Sequence, residues 1–133
     1  PPEKILQDLV ALNPEGSGKW FAAAKDAGLW ELALDLAARS PSDPKTLNRA
    51  AADFETENPE FALGSALLSL HWLVEGYGYD ITSADVMLPC YAALKLGKDL
   101  GRYQEVQSQL DALLARERPG GFVGKVLKGV PRR

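Results

Sequence analysis

Two proline-led boundaries, Asp43-Pro44 and Asn58-Pro59, constrain this chain more than any other feature. In each, a side chain that can accept from a free backbone N–H precedes a proline. The proline's missing donor costs nothing at the first position of a helix. Thr82-Ser83-Ala84-Asp85 adds a capping-box pattern with Asp in place of Glu. Gly28, Gly101 and the Gly16/Gly18 pair mark further breaks. Strand signals are nearly absent, with no alternating β-branched runs and no Asn-Gly turn. This punctuation predicts helices over 4–12, 19–27, 29–39, 44–56, 60–75, 84–99 and 102–116, with a short one near 121–129. Connections this short make neighbouring helices antiparallel. The expected fold is all-α: about seven helices in antiparallel hairpins, forming a single domain over 1–133.

The longest apolar stretch, Phe61 to Val74, decides where the core lies. It spans 14 residues interrupted by Gly64, Ser65, Ser69 and His71, short of the roughly 20 apolar residues a membrane span requires. Leu63, Ala66, Leu67, Leu70, Leu73 and Val74 fall along one broad side, and Phe61, Leu68 and Trp72 add apolar groups elsewhere. This segment is expected to be the most buried helix, with Gly64, Ser65 and Ser69 allowing neighbours to approach. With 46% hydrophobic and 25% charged residues, the composition is that of a folded globular protein rather than a disordered one. The single cysteine, Cys90, permits no internal disulfide. With no signal-peptide pattern at the N-terminus, a cytoplasmic location is expected. A chain that opens Pro1-Pro2 without methionine is expected to be part of a longer protein.

Three turns share a pattern. Gly28-Leu29-Trp30 is followed by Ala33, Asn58-Pro59-Glu60-Phe61 by Gly64, and Gly101-Arg102-Tyr103 by Val106. In each, an aromatic begins the second helix of a pair, and the residue three positions later lies on the same side. The aromatics are 31 and 42 residues apart, which brackets the ~34-residue and ~40–47-residue periods of helical-hairpin repeats. On these residues, and most fully over Leu96 to Pro119, the chain resembles a tetratricopeptide-like α-solenoid. The alternative arrangement is an irregular helical bundle. The resemblance implies a protein-binding scaffold.

No set of residues points to catalysis. Gly16-Ser17-Gly18-Lys19-Trp20 departs from a phosphate-binding loop at its first glycine and at its Ser/Thr, and no strand precedes it. A flexible turn is expected there. His71 is the only histidine, with Glu75 one turn on, and Cys90 has no neighbouring cysteine. Structural roles are expected for both, with no metal site and no cofactor. Asp53, Glu55 and Glu57 form either a solvated acidic face or a rim that receives a basic partner segment. Pro89 falls inside a helical pattern and is expected to kink it or delay its start.

Two segments are candidate binding sites. In Glu75-Gly-Tyr-Gly-Tyr-Asp80, glycines present Tyr77 and Tyr79, which suit recognition or close the helix end against the 84–99 helix. Residues 116–133 hold six basic residues and one acidic one, whereas the net charge of the whole chain is −3. Lys125 and Lys128 lie opposite Phe122, Val123, Val126 and Leu127 at helical spacing, and Arg132 and Arg133 follow. This tail is expected to dock on the last hairpin through Phe122, Val126 and Leu127, with phosphate contact as the alternative. The function that follows is a non-enzymatic protein–protein interaction module, whose partner is another protein or the rest of the parent chain. A nucleic-acid-associated domain is the second reading, and no membrane partner is expected.

Overall fold

The computed structural model describes residues 1–12 and 14–130, with the backbone only for residues 10, 14, 15 and 17. Among the described residues there are eight α-helices and no strand, so the fold is all-α. None of these helices is long and apolar enough to cross a membrane. The chain divides into two compact units, 1–42 and 43–133.

The first unit comprises α1 (Pro2–Leu12), a 3-10 segment (Pro14–Trp20), α2 (Phe21–Asp26) and α3 (Trp30–Arg39). Phe21, Ala24, Ala33, Leu36 and Ala37 are buried. The turn at Gly28 adopts φ +73°. There Leu29 N–H donates to Ala24 O and Gly28 N–H to Lys25 O, the paired bonds of a glycine C-cap. The segment expected to be a flexible turn is instead packed. Gly18 is buried, and its N–H donates to Ser40 Oγ at 2.5 Å.

The second unit runs α4 (Pro44–Asp53), α5 (Pro59–Val74), α6 (Ser83–Asp99), α7 (Tyr103–Arg116) and α8 (Phe122–Leu127). Asp43 and Asn58 accept from Lys45 N–H and Phe61 N–H, so both proline-led boundaries act as N-caps. Asn58-Pro59 starts α5 two residues before Phe61, so Phe61 sits at its third position. Trp30 and Tyr103 occupy first positions and are only half-buried, whereas Phe61 is buried.

Side-chain pairs fix the helix directions. Pro44 O accepts from Ser69 Oγ, and the Phe54 ring meets Phe61 edge-on at 5.5 Å, so α4 and α5 are antiparallel. Lys45–Asp85 and Glu55–Lys95 ion pairs bind opposite ends of α4 and α6, which therefore run parallel. Glu60–Arg102 and Glu75–Arg116 do the same for α5 and α7. The result is two layers, α4/α6 over α5/α7. A closed up-and-down bundle would also pack its first helix on its last. Among the described residues α4 and α7 form no packed pair.

The core of this unit joins all five helices through Ala51, Leu70, Val86, Cys90, Val106, Leu110, Val123 and Leu127. As expected, α5 is the most enclosed, with nine buried residues distributed around its circumference.

Candidate functional site

A groove of about 270 Å³ lies in the second unit between the parallel helices α4 and α6. Its lining falls at Asn48, Ala51 and Ala52 of α4 and at Glu55 just past its end, and at Leu88, Tyr91, Ala92 and Lys95 of α6. The α6 set is spaced i, i+3, i+4, i+7 and so forms one face of that helix, and Asn48, Ala51 and Ala52 share one face of α4. The alanines create the depth. Leu88 and Tyr91 remain 61% and 51% exposed and form the apolar wall. At the rim, Lys95 Nζ lies 2.7 Å from Glu55 and 3.0 Å from Asp99. Those hydrogen bonds, Glu55's first, raise its pKa above the ordinary lysine value.

The floor depends on Pro89, which sits buried inside α6 without delaying the helix's start at Ser83. A proline leaves the carbonyl four residues back without its helical donor. Here that carbonyl is Asp85 O, and Asn48 Nδ2 donates to it at 2.9 Å. The Asn48 Oδ1 in turn accepts from the Ser69 hydroxyl, which also reaches Pro44 O. One asparagine therefore joins three helices beneath the groove.

The two candidate segments occupy different places. Gly76, at φ +94°, closes α5, with Tyr77 N–H donating to Trp72 O. The Tyr77 ring packs edge-on against Trp72 at 5.5 Å, whereas Tyr79 is 86% exposed. Lys45 Nζ donates to Asp80 O at 3.2 Å and holds this loop to the start of α4. Lys125 and Lys128 are exposed on α8, far along the chain, and no hydrogen bond or ion pair among the described residues joins them to the tyrosines. Arg132 and Arg133 lie outside the described residues.

The tail docks on α6 and α5 rather than on the α6/α7 hairpin expected, and of the three expected anchors Leu127 is buried and Phe122 is not. Val123 and Leu127 are buried against α5 and α6, Val126 is half-buried, and Phe122 is 46% exposed. The choice follows from Glu117, which accepts from Val123 N–H and Gly124 N–H and so caps α8. That cap sets the helix rotation and turns Phe122 outward.

His71 stacks edge-on with Trp72 at 4.5 Å and is half-buried. Burial lowers its pKa first, then the nearby Arg116 charge, while Glu75 opposes both. The Glu75 carboxylate is bonded to Arg116 at 2.7 Å. Cys90 is fully buried. Among the described residues no group of three or more His, Cys, Asp or Glu is arranged to hold a metal.

Leu88 and Tyr91 are functional candidates that the sequence reading missed. Their signal is a second apolar stripe on α6, offset from the buried one at Val86, Cys90, Ala93 and Leu94. Compared with known proteins, the chain matches no family model, no curated protein and no solved structure.

Proposed function

We propose that this chain is a non-enzymatic protein–protein interaction module whose docking face is the α4/α6 groove. The observation that carries the reading is an apolar groove whose walls, Leu88 and Tyr91, stay exposed although smaller alanines line its floor. Exposed aromatic and aliphatic side chains around a depression supply the desolvated centre of a binding site, with polar residues at its rim. Glu55 and Lys95 provide that rim here.

The test is selection of peptides from a random library against the intact chain. Binders are expected whose affinity falls at least about tenfold, or 1.4 kcal/mol, with Leu88→Asp or Tyr91→Asp. Tyr79→Ser is expected to leave them unchanged. Binders indifferent to both groove substitutions, or no binders at all, would overturn the reading.

A further inference from the structure

The groove has a complement on the same chain. Phe122 is 46% exposed at the start of α8 although its neighbours Val123 and Leu127 are buried. On the same segment Arg118, Lys125 and Lys128 are exposed and engage no ion pair among the described residues. Glu117, the one carboxylate of the tail, is occupied in capping α8. The tail therefore carries an exposed aromatic ring and three exposed, unpaired cations.

The groove has the opposite character. Lys95 is matched by two carboxylates, Glu55 and Asp99, at the end where α4 and α6 finish. Asp53 and Glu57, on either side of Glu55 in the chain, are exposed and engage no ion pair among the described residues. An apolar groove thus opens beside a surplus of negative charge. Its size is also suitable: a cavity of about 150 Å³ holds a benzene ring, and this groove measures about 270 Å³.

We infer that the occupant of the α4/α6 groove is a second copy of this chain, which inserts Phe122 beside Leu88 and Tyr91. Its Arg118, Lys125 and Lys128 then face the acidic end of α4. The ring does not fill its own groove, because Val123, Leu127 and the Glu117 cap hold α8 with Phe122 outward. Such a contact joins two different surfaces. It closes into a dimer if the exchange is reciprocal and extends into a chain of copies if it is not. The inference rests on the groove being a docking face, as proposed above.

Sedimentation velocity of the full chain from low micromolar to near-millimolar concentration tests it, at low and at high salt. Association that rises with concentration and weakens about tenfold at high salt is expected, since exposed charges are screened. Phe122→Ser and Leu88→Asp are each expected to give monomers with unchanged circular dichroism and melting, because both positions are exposed. Mixing the two variants is expected to restore association, each supplying the half the other lacks. A monomer at every concentration, or association indifferent to Phe122, overturns the inference. If library peptides still bind through Leu88 and Tyr91 in that case, the docking face stands and only the second-copy occupant fails. If they do not, both fail.

Discussion

Ser65 and His71 show how much one side chain can alter this fold without touching the groove. Ser65 is fully buried on α5, and among the described residues its hydroxyl has no hydrogen-bond partner. A buried hydroxyl without a partner carries a desolvation cost of about 1–3 kcal/mol, and alanine is the better helix former. Ser65→Ala is therefore expected to stabilise the chain by roughly 1 kcal/mol in urea melts. A destabilisation would show that the hydroxyl does bond in solution. His71 makes the opposite kind of contribution. Its pKa is lowered in the folded state by burial and by Arg116, so between the lowered value and the ordinary 6.5 the unfolded chain holds more protons. Stability should thus be lost as pH falls through and below that ordinary value. Urea melts at neutral and mildly acidic pH should show a smaller loss for His71→Gln than for the unsubstituted chain. Equal losses would mean that His71 is not held neutral.

At the scale of elements, α6 and α8 each depend on a side chain borrowed from outside the helix. Proline in α6 is tolerated because Asn48 on α4 supplies the donor that Pro89 lacks. Asn48→Ala should leave Asp85 O unpaired and cost about 1–3 kcal/mol. In a Pro89→Ala background the helical N–H returns, and the same substitution should cost measurably less. A double-mutant cycle with no coupling would refute the link. The α8 helix has only six residues and no capping side chain at Gly121, so its N-terminus relies on Glu117. Glu117→Ala should cost about 0.5–2 kcal/mol locally, read as faster hydrogen exchange at Val126 and Leu127. Gly121→Ala should reproduce the effect, since the added methyl would occupy the space of the Glu117 carboxylate.

For the whole molecule, the chain divides into two compact units, 1–42 and 43–133, and Gly18 tests whether they respond separately. A Cβ at Gly18 would lie 2.7 Å from both Pro41 O and Ser40 O, backbone atoms that cannot swing aside. Overpacking of this kind costs about 1–3 kcal/mol. Gly18→Ala should raise hydrogen exchange across 1–42 and leave the core amides of α5 and α6 protected. A uniform rise throughout the chain would show that the units unfold as one.

Much of this architecture was legible in the sequence because it is encoded locally. Caps at Asp43, Asn58 and Thr82, the turn glycines 28 and 101, and the apolar run of α5 act over a few residues, and each placed its helix within a few positions. The interior role of Cys90 and the docking of the tail also followed from short patterns. Tertiary structure alone decided which faces remained uncovered. Leu88 and Tyr91 look like core residues in a helical pattern, and only the parallel placement of α4 beside α6 leaves them lining a groove. Phe122 looks like an anchor until the Glu117 carboxylate, six residues away from Val123, rotates α8. Gly18 looks like a flexible turn until Ser40 and Ser42, more than twenty residues later, close over it. Local propensity acts through the backbone of neighbouring residues, whereas exposure depends on partners distant in sequence whose approach no short pattern records.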